Sequence, residues 1–378
     1  MRFVADERET ALREEFRAFF AAHCTEDYVA ACDEGERFPA ELYRAAGEHG
    51  VLATFVPREY GGRGEDAVGL AILFQEAGRA FPDFANLVVR ESLCVTALVK
   101  YASEEQKQRW LPRFASGALH MAFGASEPGA GSDVGSLATV ATPDGDDFRV
   151  TGEKLYATGA DVADAVLVFA RLPGTRKRDG VTALVVPTDA PGLTVDRLST
   201  LGVRATGTAA VHLDGVRVPA ADVVGGAGDG WKVLLAGLDL ERMATAAIGT
   251  GASRLLLERT VEFLKGREQF GQPLGRFQAV RHRVADLAMS IDAAELSTML
   301  VARGMVEGVS VQVDASIAKL TGTETYMTVA HQAVQLQGGR GYTLDKVVQR
   351  HFRDAKMYEI GGGASDIQRD IIAKGLGL

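Results

Sequence analysis

Residues 121–133 read MAFGASEPGAGSD, and the rest of the chain is organised around them. Gly124, Gly129 and Gly131 let the backbone come close to a ligand, while Ser126, Glu127, Ser132 and Asp133 set polar side chains among its N–H groups. Such a loop either binds something flat or anionic or is a plain turn. Its setting favours the first, because it divides a wholly helical third of the chain from a strand-rich middle.

On the helical side, residues 6–23 carry acids in the first turn and apolar residues at Leu12, Phe16, Phe19 and Phe20, the spacing of one helix face. Residues 38–49 open near Pro39 and stop at Gly50, a conventional helix start and end. After a turn at Gly61, Gly62 and Gly64, helices are predicted over 67–79, 86–101 and 103–114, so residues 1–118 read as an all-α domain.

Beyond the loop, alternation replaces the helical period. Strands are predicted at 148–156, with a turn at Gly152, and at 163–172, 180–186, 193–198 and 210–218, the last with an Asp214-Gly215 hairpin signal. They make a small antiparallel barrel or sandwich over 119–226. From 227 to 378 the chain is helical again, over 231–266, 277–308, 312–338 and 348–360, with a final turn or two from Ser365. The order predicts an α+β fold: an N-terminal all-α domain, a middle antiparallel β domain and a C-terminal four-helix bundle.

Composition narrows the function. The 378 residues are 47% hydrophobic, ordinary for a soluble globular chain, and the net charge of −9 argues against a nucleic-acid or membrane-surface partner. Cys24, Cys32 and Cys94 form no CxxC pair and read as free thiols in a reducing compartment. No apolar run reaches the roughly 18 residues of a membrane span, and the opening MRFVADERET is too charged for a secretion signal, so a cytoplasmic protein is expected. There is no Walker A sequence, no GxGxxG after a strand, and no His/Cys cluster with metal spacing.

Seven runs, in order, resemble those of the FAD-dependent acyl-CoA dehydrogenases: EYGGRG, ASEEQKQRWLPRFASG, FGASEPGAGSD, TGEKLYATGAD, REQFGQPLGRFQ, QLQGGRGY and RDAKMYEI. The likeness spans essentially the whole chain. It implies α,β-dehydrogenation of an acyl thioester, which needs a base on one face of the substrate and a flavin on the other. Most of that family takes its base from a C-terminal glutamate. The register set by RDAK (353–356) and IQR (367–369) puts Gly362 there, within YEIGGGAS. A minority, the isovaleryl-CoA type, carries the glutamate in a Leu-Asp-Leu-Glu-Arg run on the first C-terminal helix. LDLER at 238–242 matches it and makes Glu241 the implied base, removing the pro-R α-proton.

The residues themselves point the same way. On a helix the neighbours of Glu241 include Leu238, Gly237, Ala244 and Thr245, none able to pair with a carboxylate. It is therefore expected on an apolar face, with burial raising its pKa toward that of a useful base; the alternatives are a solvated helix glutamate, or Glu359 as the base. The backbone N–H of residue 362 is the implied donor to the thioester carbonyl. Asp239 and Arg242 either form an i, i+3 ion pair or lie near the pantetheine arm, and Ser132 matches a pantetheine contact.

By the same resemblance Phe123, Ala125, Ser126, Tyr156 and Thr158 line the flavin, Tyr156 standing where tryptophan is usual. Arg267, Phe270 and Gln278 reach the FAD of a neighbouring subunit, and Gln335, Gly338 and Gly339 approach its pyrophosphate and adenosine. Ala364 replaces a threonine there. Without the resemblance, REQFGQP reads as a helix end and QLQGGRGY as a glycine-rich turn. Shared FAD implies a homo-oligomer, a dimer or a tetramer, and electron-transfer flavoprotein is the implied acceptor. Short or branched acyl-CoA is the expected substrate. Carrier-protein-bound acyl groups, a flavin monooxygenase or oxidase on the same fold, and a relative that has lost catalysis are the alternatives.

Overall fold

The computed structural model describes residues 5–378. Its N-terminal part holds six helices: α1 Glu7–His23, α2 Glu26–Glu34, α3 Ala40–Glu48, α4 Ala67–Ala80, α5 Pro82–Tyr101 and α6 Glu104–Ala115. Side chains set their starts. Asp6 accepts from Glu9 N–H, Asp66 from Gly69 N–H, and Ser103 forms a reciprocal capping box with Gln106. α2 was not expected from the sequence; Thr25 caps it by accepting from Tyr28 N–H. α5 begins at Pro82, before the expected residue 86, because proline at the first helical position costs no hydrogen bond.

The middle part is a sheet of eight strands: β1 Met121–Gly124, β2 Val140–Asp144, β3 Asp147–Thr158, β4 Ala165–Arg171, β5 Val181–Pro187, β6 Leu193–Leu198, β7 Thr208–Val218 and β8 Val223–Val224. Their order is β6-β7-β3-β2-β4-β5-β8, with β1 on β4. Pairing is mostly antiparallel, as expected. However, β1 runs parallel to β4, from Met121 beside Ala165 to Gly124 beside Val168, and β2 touches β4 in the same sense. Neither β1 nor β2 was expected, since four or five residues carry too little alternation to be read. Gly152 and Asp214-Gly215 do not turn the chain. They lie at a bulge between β3 and β7, with Gly152 opposite Leu213 and Gly215 N–H donating to Thr151 Oγ1.

The C-terminal part holds α7 Gly230–Leu235, α8 Leu238–Gly266, α9 Gln278–Val306, α10 Gln312–Gln337, α11 Val347–Ile360 and α12 Ser365–Gly375. The long helices α8 to α11 supply the expected four-helix bundle; the run expected as one helix over 231–266 breaks at Gly237, the N-cap of α8, and the tail forms a true helix. A shared core joins this bundle to the N-terminal helices, with Phe74, Phe84, Ile248 and Tyr326 all buried. At the α4–α8 crossing a Cβ on Gly251 would lie 1.9 Å from the Gln75 carbonyl oxygen, so the glycine is what allows the close approach. A second core under α5 and α6 packs Leu98 and Trp110 against Met121 and Leu167 of the sheet. Among the described residues no helix is long and apolar enough to cross a membrane.

Candidate active site

The loop of residues 125–133 is fastened to the sheet from beneath. Glu127 is buried, and its carboxylate accepts from the backbone N–H groups of Ala138 and Thr139, the latter at 3.1 Å. Lys154 Nζ, wholly buried on β3, lies 2.5 Å from it. Burial works against both charges. Even so, the Lys154 charge and the Ala138 N–H hold the Glu127 carboxyl below the usual glutamate range, and burial brings Lys154 down to about 8 against the pull of Glu127. Lys154 was not among the expected site residues; a lysine inside an alternating strand was its signal.

This clamp sets together the residues expected to line the flavin. Leu155 N–H donates to the Ser126 carbonyl, which brings Ser126 and Ala125 alongside Tyr156 and Thr158. Phe123 packs against Phe169, the rings tilted at 52° with centres 5.1 Å apart. Tyr156 sits in a β3 bulge with φ +62° and its side chain 65% exposed. A bulky residue in that left-handed conformation is unusual, and here it turns a large ring away from the core. Ser132 is exposed at the open end of the loop.

The remaining cofactor candidates are carried by the C-terminal bundle. REQFGQP begins as the expected helix end, Arg267 being the C-cap of α8, and continues as a short hairpin, Glu268–Gln269 pairing with Gln272–Pro273. Phe270 and Gly271 at its tip have φ +51° and +77°, the primed-turn geometry, and Phe270 is 93% exposed. Arg267 shares a cavity of about 760 Å³ with Gln337, Arg340 and Arg350, which brings it beside the Gly338-Gly339 turn. Gln278 and Gln335 are exposed nearby in sequence, at the start of α9 and the end of α10.

FAD fits what these positions leave uncovered. Tyr156 and Phe270 offer bare aromatic rings, and a Cβ at Gly338 or Gly339 would meet open space. Among the described residues neither the Arg267 nor the Arg340 guanidinium has an acceptor, and the Arg350 Nε is buried without one. Such donors suit a diphosphate. Ala364 lacks a hydroxyl, but Ser365 Oγ beside it is buried and unpartnered.

Glu241 occupies the first turn of α8 and is 4% exposed. The sequence argument that nothing pairs with it fails, because the partner comes from another element: Arg90 of α5 makes an ion pair through Nη1. Gly362 lies directly opposite, with φ +68°, and a Cβ there would sit 3.2 Å from Glu241 Oε1. Positions 241 and 362 thus converge on one point, so a side chain at 362 would crowd the Glu241 carboxylate. The glycine loop is held by its carbonyls: Lys319 Nζ donates to Gly363 O at 2.9 Å, and Gln368 Nε2 to Gly362 O and Gly363 O at 3.1 and 2.9 Å. Among the described residues the Gly362 N–H has no acceptor, so it is free to meet a carbonyl. Burial brings the Lys319 amine down to about 8.

Asp239 and Arg242 form the i, i+3 ion pair at 2.6 Å, with the Arg242 Nε buried and unpartnered. Glu359 is tied to Lys356 at 2.8 Å. Arg90, Lys319 and Gln368 were not anticipated. Arg90 had a legible signal, one cation in the apolar run LVVRESLCV; Lys319 and Gln368 are ordinary helix residues until the loop of 361–363 folds over them.

Family models describe the same three parts: the acyl-CoA dehydrogenase N-terminal domain matches residues 6–118, the middle domain 122–216 and the C-terminal domain 228–377. The probable acyl-CoA dehydrogenase YngJ of Bacillus subtilis is 39% identical over 349 residues, 91% of each chain. Butyryl-CoA dehydrogenase of Megasphaera elsdenii superposes with a TM-score of 0.95 at 29% identity, covering all of both chains. The prolyl acyl carrier protein oxidase AnaB superposes with a TM-score of 0.95 at 28% identity, over 99% of this chain and all of that one. Fold, site and relatives together make this chain a member of the acyl-CoA dehydrogenase family, an FAD-dependent flavoprotein oxidoreductase.

Proposed function

We propose that the chain dehydrogenates a short acyl thioester to its trans-2-enoyl form, with Glu241 as the base that takes the α-proton. The observation that carries this reading is the buried Glu241 carboxylate facing the backbone of Gly362. A thioester whose carbonyl accepts from the free Gly362 N–H holds its α-carbon beside that carboxylate. The same N–H stabilises the enolate charge that develops as the proton leaves. FAD, when bound, supplies the acceptor for the β-hydride. The burial of Glu241 limits the access of water to the proton transfer. Its place on α8, with Gly362 where the family usually carries the base, supports the isovaleryl-type arrangement.

Ser126, Thr158 and Tyr156, with Phe123 and Ala125, are proposed to bound the flavin ring. Arg267, Gln278, Gln335, Gly338 and Gly339 are proposed to hold the rest of FAD, with Phe270 reaching a second subunit. Exposed Met289, Leu296 and Leu300 on α9 support an oligomer built through the bundle. Ser132, Asp239 and Arg242 are assigned to the pantetheine arm, electron-transfer flavoprotein to reoxidation, and domain limits to 1–118, 119–226 and 227–378. Three free cysteines support a cytoplasmic setting. The butyryl-CoA dehydrogenase neighbour favours a CoA ester; AnaB favours a carrier-bound acyl group as the second reading.

The test is anaerobic mixing of the yellow holoenzyme with isovaleryl-, isobutyryl-, butyryl- and octanoyl-CoA, following flavin absorbance. Bleaching in wild type that is lost in Glu241→Gln supports the reading. A variant that keeps its rate removes Glu241 as the base, and absence of bleaching by every CoA ester shifts the reading to carrier-bound substrates or to oxygen-using chemistry.

A further inference from the structure

α5 is buried from Pro82 to Val89 and again from Glu91 to Val95, and Arg90 interrupts that run. Its guanidinium meets Glu241 through Nη1 and the Asn86 side-chain oxygen through Nη2 at 3.3 Å, and Gly361 lies beside Nη2. Arg90 is thus at the carboxylate that faces Gly362, next to the point where the proposed dehydrogenation would place the substrate's reacting carbons. A guanidinium carries five N–H donors. Among the described residues Glu241 and Asn86 are its hydrogen-bond partners, and its side chain keeps 16% of its surface exposed. Donors are therefore left over beside Glu241.

The charge balance points the same way. Glu241 and Asp239 stand against Arg90, Arg242 and Lys319, and Glu359 is neutralised by Lys356. The site holds a surplus of positive charge. A saturated hydrocarbon chain laid along Arg90 would strip water from the guanidinium and return no acceptor, which is unfavourable. An oxygen on the chain would take the spare donors and leave less of the guanidinium bound to the base.

We propose that Arg90 is a specificity residue and that the acyl group it selects carries a hydroxyl or carboxylate oxygen just beyond the reacting Cα–Cβ bond. The inference rests on the dehydrogenase reading above and names its substrate class; the reaction is unchanged.

The test compares butyryl-, 4-hydroxybutyryl- and succinyl-CoA, each also loaded on a phosphopantetheinyl carrier protein, with the wild-type holoenzyme and with Arg90→Met and Arg90→Lys. The readout is the ratio of kcat/KM for each oxygen-bearing ester to that for butyryl within one variant, so a general change in base strength cancels. Wild type is expected to favour an oxygen-bearing ester by about tenfold or more, roughly the discrimination of one charge-assisted hydrogen bond. Arg90→Met should collapse the ratio and Arg90→Lys restore part of it. A carboxylate requirement shows as succinyl above 4-hydroxybutyryl, a hydroxyl requirement as the reverse. Butyryl preferred by wild type, or a ratio unmoved by Arg90→Met, overturns the proposal while leaving the dehydrogenase reading intact. Absence of flavin bleaching with every ester, on CoA and on the carrier, overturns both.

Discussion

Two of the buried carboxylates in this molecule, Glu127 and Glu241, each lie against a cation, and they are held differently. Glu127 accepts from two backbone N–H groups as well as from Lys154, which is completely enclosed. Glu241 meets a single side chain, Arg90, that keeps part of its surface open, and faces a glycine backbone across a gap. The first is locked on all sides by groups that cannot move without breaking the sheet. The second depends on one contact that a ligand can share. A buried ion pair therefore says little about role until its other hydrogen bonds are counted: full satisfaction marks a clamp, partial satisfaction a group available for chemistry.

The comparison is broken most decisively at Glu241. Glu241→Gln keeps the shape and removes the proposed base, so flavin bleaching by substrate is expected to slow about 10²–10⁴-fold while bound FAD is retained. Stopped-flow absorbance and the flavin-to-protein ratio measure the two parts. Lys154→Met should do the opposite. It leaves Glu127 buried without its counter-charge, at a cost of about 3–5 kcal/mol in denaturant unfolding, with FAD content falling as the loop of 125–133 loosens. If instead Lys154→Met folds normally and only slows turnover, the two pairs are alike in role and the distinction fails.

Gly362→Ala sharpens the same contrast. The left-handed backbone at φ +68° carries a strain of about 1–3 kcal/mol for alanine, and the new methyl meets Glu241 at 3.2 Å. Slower bleaching with a modest loss of melting temperature is expected; an unchanged rate would separate Gly362 from the chemistry. The smallest effect is at acid pH. The Glu127 carboxyl titrates below the usual 4.5, so its stabilisation is complete above that value and is lost as pH falls through the lower folded value. Denaturant midpoints followed from neutral pH down to about pH 3 should therefore decline more for wild type than for a Glu127→Gln, Lys154→Met double variant. Parallel curves would mean that the clamp contributes no acid sensitivity.

Much of this was legible in the chain. Apolar spacing at Leu12, Phe16, Phe19 and Phe20 announced α1, all four residues being buried, and alternation announced β4 and β5. Short strands such as β1 carried no readable period. The Asp214-Gly215 pair was misread because a left-handed glycine serves a bulge as well as a hairpin, and the choice depends on the partner strand. Glu241 and Gly362 were legible through resemblance, 121 positions apart in the chain, but their convergence was not.

By itself the sequence determined the order of helical and strand-rich parts and the polar glycine loop at 121–133, since each rests on neighbours along the chain, while LDLER and the glycine at 362 were linked through family resemblance. Tertiary structure alone decided that Arg90 reaches Glu241, that Lys154 reaches Glu127, and that Lys319 and Gln368 hold the loop of 361–363. Local periodicity says which face of an element is buried but not which residue of a distant element it meets, and charge partners are settled only when those faces pack.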